Sequence, residues 1–250
     1  MQDLAAMPYL IASLEDVSEL PIVRHEAAEA LGALSDSSAL PILEKYLKDP
    51  EQVVRETCEL AVAKIQHEMR VKEGKESPES SIYASVDPAP ALKEKLTSEQ
   101  LESRLMDDTM SLFDRYKAMF TLRNLGTEEA VLALAKGFED DSALFRHEIG
   151  TSVLLISEIS TNYTAYVFGQ MQHPASVPSL MKVLENELED PMVRHECAEA
   201  LGSIATDECM NILQKYATSS AEKETKREIV RESCLVGLDI YDYEVSTATH

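Results

Sequence analysis

Tryptophan is absent from this sequence, and glycine, proline and aromatic residues are scarce. The 250 residues include 8 Gly, 10 Pro, 9 Tyr and 5 Phe. Since aromatic and turn-forming residues are abundant in all-β proteins, this composition argues against an all-β chain. The apolar fraction of 44% is still large enough to bury a sizeable core.

Basic residues are also few relative to acidic ones. Lys and Arg total 23 against 45 Asp and Glu, so the formal net charge is −22. Such a charge repels nucleic acid and attracts cationic partners. The sequence therefore predicts a basic protein or cationic ligand as partner, and no nucleic acid.

Targeting and membrane signals are missing as well. No apolar run is long enough to span a bilayer, and the first ten residues show no secretory signal. The four cysteines lack CxxC spacing and are interpreted as reduced thiols. We therefore expect no membrane partner and a monomeric protein in the cytoplasm, with the nucleus as the alternative location.

The most informative feature that is present is an internal repeat. VRHEAAEALGALSD from Val23 returns as VRHECAEALGSIATD from Val193, and VVRETCELAV from Val53 returns as IVRESCLVGL from Ile229. Arg24 and Arg55 lie 31 residues apart, as do Arg115 and Arg146. A period just above 30 residues, with two helical patterns per period, predicts an all-α solenoid of stacked helix pairs.

The helical pattern of the first motif also predicts which side chains face the core. Apolar residues at helical spacing form one stripe, whose members are Val23, Ala27, Ala30, Leu31 and Leu34. On this basis His25 projects away from the core, beside Glu29. Gly32 and Gly202 each follow a histidine by seven residues, or two turns, so each glycine is expected to let a neighbour approach the histidine's face closely.

The chain is predicted to consist of two repeat halves. Residues 71–97, rich in Ser, Pro, Glu and Lys, are predicted to be a flexible, disordered linker between residues 1–70 and residues 98–250. Met1 precedes His25 by 24 residues, as Met171 precedes His195, but only the second half has further helix pairs before that point. We therefore expect the first half to lack its first repeats, with natural asymmetry as the alternative.

A 15-residue insertion is predicted at residues 150–164. Removing GTSVLLISEISTNYT places Gly169 seven residues after His147, matching the other two copies of the motif. It also shortens the interval from His147 to His195 from 48 to 33 residues, close to the repeat period. The insertion is either a retained intron or a genuine segment, and we expect it to damage the site around His147.

Histidine and glutamate are adjacent at three equivalent repeat positions, each after an arginine. These pairs are His25–Glu26, His147–Glu148 and His195–Glu196. Neighbouring helical residues point about 100° apart, so a pair can border one cleft but cannot chelate a metal alone. Imidazole with carboxylate suits non-haem iron, manganese or zinc. The alternative is that they are ordinary exposed polar residues, but helix packing does not explain their repetition.

The other histidines are weaker candidates. His67–Glu68 lacks the preceding arginine, His173 precedes a proline, and His250 is the last residue. The sequence contains no HExxH, P-loop, GxGxxG or GxSxG motif. It also lacks the Glu-x-x-His pattern of ferritin-like di-iron bundles.

At these residues the sequence resembles the deoxyhypusine hydroxylase family of HEAT-repeat di-iron monooxygenases. The motifs are PIVRHEAAEALGAL, LFRHEIG, YVFGQMQHP and PMVRHECAEALGSIA. The resemblance implies a HEAT-like fold, two Fe²⁺ ions, and dioxygen as co-substrate. It also implies that the protein partner is the translation factor whose deoxyhypusine side chain is hydroxylated to hypusine.

The resemblance further implies roles for individual residues. His25 and Glu26 would belong to one iron site, and the second site would be formed by His147, His195 and Glu196. Glu148 would bind the substrate amine. No catalytic residue is implied beyond the di-iron centre and its surroundings. The first of the family's four His-Glu motifs has no counterpart in this sequence, so the first iron site is expected to be incomplete.

Three alternatives remain open at this stage. The chain could be an inactive fragment of such a hydroxylase. It could be a non-catalytic HEAT scaffold for a basic protein, which predicts no metal dependence. It could also be related to phycobilin lyase subunits, which predicts that activity does not require the His-Glu pairs.

Overall fold

The computed structural model describes residues 3–76, 86–154, 173–218 and 225–248. Across these ranges the chain forms α-helices and short 3₁₀ turns and no β-strand. The predicted all-α class is therefore confirmed. None of the helices in the described ranges is long and apolar enough to cross a membrane.

The helices fall into two compact units, residues 1–124 and 125–250. The first unit contains α1 Met7–Glu15, α2 Pro21–Leu34, α3 Leu40–Lys45, α4 Gln52–Lys72, α5 Ser98–Leu105 and α6 Leu112–Leu125, which ends at the boundary. The second contains α7 Glu128–Ala135, α8 Ala143–Leu154, α9 Val177–Glu185, α10 Pro191–Ile204, α11 Asp207–Ala217 and α12 Thr225–Ala248. The short 3₁₀ turns are Leu4–Ala6, Ser37–Ala39, Tyr46–Lys48, Lys136–Glu139 and Pro174–Ser176.

The helix boundaries follow from local sequence. Proline occupies the first turn of α2 and of α10, where its missing N–H costs no hydrogen bond. Both helices end in a left-handed residue, Ser35 at φ 51° and Ala205 at φ 54°. Thr97 starts α5 with a capping box that includes Gln100. The equivalent motifs at Val23 and Val193 thus produce helices with the same start and the same end.

The buried face of α2 differs from the predicted stripe. Val23 is 39% exposed, whereas His25 and Ala28 are fully buried. The prediction that His25 points away from the core is therefore wrong. The reason is that α2 packs against α1 on one flank and α4 on the other, so a single apolar stripe describes only part of its buried surface.

The close approach predicted at the repeated glycines is confirmed. A Cβ on Gly32 would lie 2.9 Å from the Cβ of Ala61 in α4. A Cβ on Gly202 would overlap the carbonyl oxygen of Gly237 in α12. In both units, a glycine two turns beyond the histidine lets the next repeat helix pack almost backbone to backbone.

The segment predicted to be a disordered linker is in part packed. Residues 77–85 lie outside the described residues, but Asp87 binds Arg123 through two contacts of 2.6 and 2.8 Å. Ala89 is buried, and the backbone N–H of Leu92 donates to Thr121 at 2.7 Å. The prediction of disorder over all of residues 71–97 is wrong for residues 86–97, because these contacts tie them to α6. As a result, α5 and α6 belong to the first unit instead of the second half.

The predicted insertion lies mostly outside the described residues. Its first five residues, 150–154, continue α8, and residues 155–164 are not described. A Cβ on Gly150 would lie 3.0 Å from the Cβ of Glu196, so α8 and α10 approach closely here. The insertion itself stays a prediction.

Candidate metal centre

Two of the three arginines that precede a His-Glu pair contact the end of the previous helix, whereas Arg146 contacts Asp140 and Glu189. Arg24 donates from Nε to the carbonyl of Leu14 at 3.0 Å, and Arg194 donates to the carbonyl of Leu184 at 2.9 Å. Each of these two arginines reaches back ten residues, from the start of one helix to the end of the previous one. This contact satisfies an unpaired helix C-terminal carbonyl and sets the angle between the two helices.

A repeat without a His-Glu pair keeps the same arginine contact. Arg115 donates to the carbonyl of Leu105 at 2.8 Å, but Tyr116 and Lys117 follow it in place of histidine and glutamate. The arginine is therefore required by the repeat fold. The histidine and glutamate are not, which supports a chemical role for them.

In the second unit, His147, His195 and Glu196 form one cluster. Nε2 of His195 lies 2.8 Å from Oε1 of Glu196, and Nε2 of His147 lies 3.2 Å from the same oxygen. The two imidazole rings stack with centroids 6.2 Å apart. Each residue offers one ligand atom within 4.8 Å of the others. α8 supplies one histidine, and α10 supplies the other histidine and the carboxylate.

The electrostatics of this cluster are strongly coupled. Burial alone would lower the pKa of both histidines, but Glu196 outweighs it and raises the pKa of His195 to about 9, with Glu199 contributing. The pKa of His147 also lies well above its usual value despite burial, because Glu196 and Glu148 face it. Burial would raise the pKa of Glu196, yet the two imidazoles hold it well below its usual range.

Glu148 lies beside this cluster. Its Oε1 is 3.8 Å from Nδ1 of His147, and its side chain is only 7% exposed. A carboxylate so deeply buried is stabilised by a cation, because desolvation of a lone charge is costly. The structure therefore places Glu148 where it can hold a cationic group next to His147.

In the first unit, His25, Glu26 and Glu29 form a second cluster. Nε2 of His25 lies 3.2 Å from Oε1 of Glu26, whose side chain is 62% exposed. The three residues also offer ligand atoms within 4.8 Å of one another. With one imidazole and two carboxylates, all on α2, this cluster offers fewer nitrogen ligands than the second-unit cluster.

Three residues at these clusters were not predicted: Glu199, Thr57 and Ser233. Glu199 contacts His195 from one turn later on the same helix, and Thr57 and Ser233 contact His25 and His195 from the next helix. The signal was in the sequence, because RHExAEALG and RE(T/S)C both occur twice. Repetition alone does not separate ligand-supporting residues from packing residues, so the signal was not decisive.

The histidines predicted to be unrelated to the site have structural contacts. His67 pairs with Glu76 at 2.5 Å and stands against Phe113, with ring centroids 6.0 Å apart. His173 caps the turn before α9 by accepting from the N–H of Ala175 at 3.2 Å. His250 lies outside the described residues.

Both clusters fit a divalent transition metal. Two imidazoles and one carboxylate that converge on one point form the ligand set of non-haem iron oxygenases. In the second unit, a divalent ion would take the place of the imidazole protons that face the Glu196 carboxylate. His147, His195 and Glu196 would hold one ion, and His25 and Glu26, with Glu29 beside them, would take part in holding another.

Metal binding at the second-unit cluster should release protons. The pKa of His195 lies at about 9, and that of His147 lies well above its usual value because Glu196 and Glu148 face it. A metal takes the neutral imidazole, so we expect at least one proton released per Co²⁺ at pH 7. Affinity should then rise with pH up to about 9, where His195 loses that proton unaided.

Calorimetric titration in buffers of different ionisation enthalpy measures this proton release. A His173→Gln variant serves as the control, because His173 lies outside both clusters and should leave the number unchanged. Release of no protons at pH 7, with affinity independent of pH, would contradict the charge state described above.

Comparison with known proteins agrees with the repeat. Sequence models of HEAT repeats match residues 1–63 and 162–232, and the model of the PBS lyase HEAT-like repeat matches residues 114–140. Deoxyhypusine hydroxylase of Candida albicans is 51% identical over 249 residues, covering 98% of this chain and 72% of the relative. The human deoxyhypusine hydroxylase is 47% identical over 248 residues, covering 99% of this chain and 74% of the relative.

A solved structure shows the same relationship. Human deoxyhypusine hydroxylase in complex with glycerol matches with a TM-score of 0.83 at 45% identity, covering 97% of this chain and 76% of that one. The short PBS lyase match falls on α6 and α7, where no His-Glu pair occurs, so it reflects the repeat type alone. Identity near one half over almost the whole chain establishes that this chain belongs to the deoxyhypusine hydroxylase family.

Proposed function

We propose that this chain hydroxylates the deoxyhypusine side chain of the hypusine-carrying translation factor, with iron and dioxygen. The observation that supports this most directly is the cluster of His147, His195 and Glu196 in a member of that family. When bound, iron would supply the reduction of dioxygen and the oxidant that attacks an unactivated C–H bond. The residues of the chain have the other tasks: they hold the ions, orient the substrate and limit access of water.

The two clusters should differ in metal affinity. The second-unit cluster has two imidazoles and a buried carboxylate, whereas the first-unit cluster has one imidazole and an exposed Glu26. We expect one ion held firmly by His147, His195 and Glu196, and a second held more weakly through His25 and Glu26.

Glu148 is proposed to bind the amine of the substrate. Deoxyhypusine ends in an amine-bearing arm that is cationic at neutral pH, and a buried carboxylate stabilises such a cation strongly. Because Glu148 follows His147 directly and its carboxylate lies 3.8 Å from that imidazole, an amine bound to Glu148 would lie close to the metal that His147 holds. The net charge of −22 would assist the approach of a basic protein but does not select one.

The test is an assay of iron and of product with the purified chain. Anaerobically purified protein should retain at least one iron, and with dioxygen it should add one oxygen atom to deoxyhypusine in the translation factor, detected by mass spectrometry. Glu148→Gln should raise KM for the factor strongly while iron content stays unchanged. Glu185→Gln, which removes an exposed carboxylate of α9, is the control and should behave as wild type.

Other outcomes would favour the alternatives. Iron retention without any product would indicate an inactive member of the family. Binding of the translation factor that is indifferent to metal removal, and to replacement of all three His-Glu pairs, would favour a non-catalytic scaffold. Action as a monomer in the cytoplasm, without nucleic acid or membrane, remains part of the proposal.

A further inference from the structure

The second ring nitrogen of His195 has its own polar surroundings, on the side away from Glu196. Nδ1 lies 3.2 Å from Oε1 of Glu199 and 3.3 Å from Oγ of Ser233. Glu199 comes from the same helix, one turn later, and its side chain is 13% exposed. Ser233 comes from α12 and is buried.

The hydroxyl of Ser233 can only accept a hydrogen bond from His195. Its single proton is already donated to the carbonyl of Ile229, at 2.9 Å. An ionised carboxylate such as Glu199 also only accepts. Both neighbours of Nδ1 therefore require a proton on that nitrogen, so a metal that displaces the Nε2 proton leaves the tautomer with Nδ1–H.

The first unit repeats this arrangement. Nδ1 of His25 lies 3.2 Å from Oγ1 of Thr57 in α4, and that hydroxyl donates to the carbonyl of Val53 at 2.7 Å. Glu29 follows His25 by four residues, as Glu199 follows His195. In each unit, the histidine thus faces a hydroxyl whose proton is already donated to a backbone carbonyl, so the hydroxyl can only accept.

At His147, the next helix carries a carboxylate at the repeat position where the other two histidines face a hydroxyl. Glu196 stands in α10 two residues after the repeat arginine, as Thr57 does in α4 and Ser233 in α12. Glu196 contacts Nε2 of His147, whereas the hydroxyls contact Nδ1 of their histidines. One repeat position therefore alternates between a metal-binding carboxylate and a ring-orienting hydroxyl.

We propose that Ser233 and Glu199 are positioning residues that fix the tautomer and ring orientation of His195, so that Nε2 binds the metal, and that Thr57 has the same task for His25. This inference rests on the proposed function, because it assumes that the clusters bind metal. Partners of this kind typically alter metal affinity about 10- to 100-fold when removed.

The experiment compares Co²⁺ affinity of the full chain and its variants by titration. We expect Ser233→Ala to weaken binding at the second-unit cluster about tenfold, and Ser233→Ala with Glu199→Ala to weaken it about 100-fold. Ser233→Thr keeps the hydroxyl and should restore affinity to near the wild-type value. Ser203→Ala, a buried serine elsewhere in α10, is the matched control and should not alter affinity.

A second readout separates positioning from mere packing. In the Zn²⁺-loaded protein with ¹⁵N-labelled histidine, the Nδ1–H of His195 should give a slowly exchanging NMR signal. The double variant should lose this protection, and Ser233→Thr should retain it. A proton on Nε2 of His195 in the loaded wild type would overturn the proposal.

The outcomes distinguish this proposal from the proposed function. If wild-type protein binds no divalent metal, the proposed function fails and this inference fails with it. If wild type binds metal and the double variant, shown by circular dichroism to be folded, binds it equally well, only the positioning role is refuted.

Discussion

Replacing Glu196 with glutamine should abolish metal binding at the second-unit cluster and, with it, hydroxylation. Glu196 is the carboxylate that contacts Nε2 of both His147 and His195. A neutral amide of the same shape is a much poorer ligand for a divalent transition metal than a carboxylate is. We expect Co²⁺ affinity to fall more than about 100-fold, the upper range for residues that only orient a ligand.

The same substitution should alter the protonation of the metal-free protein. Glu196 is the main reason that the pKa of His195 rises to about 9 in spite of burial. Without the carboxylate, desolvation dominates and the pKa of both histidines falls. Calorimetry in different buffers should therefore detect fewer protons released for any residual metal binding at pH 7.

Glu185→Gln provides the matched control for this experiment. It makes the same chemical change on α9, where Glu185 forms only an exposed ion pair with Lys215 at 2.9 Å. Iron content and activity should match wild type. Glu196→Gln protein that retains the same metal content and rate as Glu185→Gln would refute the assignment of Glu196 as a ligand.

Much of the site could be predicted because the repeat places chemistry at fixed positions. The 31-residue spacing and the RHE motif, which occurs three times, recur at equivalent repeat positions, and repeats along the sequence become stacked helices in space. His147, His195 and Glu196 therefore converge as expected from equivalent helices. The close approach at Gly32 was predictable for the same reason, since glycine recurs at the equivalent position Gly202 and has no side chain to keep the next helix away.

What the sequence did not predict depends on contacts between helices. The burial of His25 arises because α2 has neighbours on two flanks, whereas a helical stripe assumes one buried face. The packing of Asp87 on Arg123 joins residues 36 apart along the chain, in a segment with no periodic pattern. The link from Ser233 to His195 likewise depends on how α12 lies on α10, which no local pattern specifies.

Substituting Gly202 with alanine should strongly destabilise the second unit. An added Cβ would overlap the carbonyl oxygen of Gly237 and lie 2.8 Å from its carbonyl carbon, so backbone must move. Such overpacking costs about 3 kcal/mol or more, whereas the helix preference of alanine over glycine returns about 1 kcal/mol. We expect a net loss of about 2 kcal/mol or more, measured as a lower urea midpoint by circular dichroism.

Gly32→Ala is the informative comparison, because it occupies the same repeat position with a less close neighbour. Its Cβ would lie 2.9 Å from the Cβ and 3.0 Å from the Cα of Ala61, so α4 must shift, but by less than α12 must at Gly202. The overpacking cost should lie near the low end of its range and be offset in part by helix preference, so we expect a net loss of about 1 kcal/mol, smaller than for Gly202→Ala. Equal urea midpoints for the two variants would contradict this distinction.

The two glycine variants should also differ in metal binding. Ser233 lies one turn before Gly237 on α12, so pushing the two helices apart at Gly202 also moves the hydroxyl away from Nδ1 of His195. Gly202→Ala should therefore weaken Co²⁺ binding by His147, His195 and Glu196 even under conditions where it remains folded. Gly32→Ala alters only the contact of α2 with α4 and should leave that affinity unchanged. On this proposal the close glycine contact serves the metal site as well as the fold, because the distance between α10 and α12 sets the distance between His195 and the Ser233 hydroxyl.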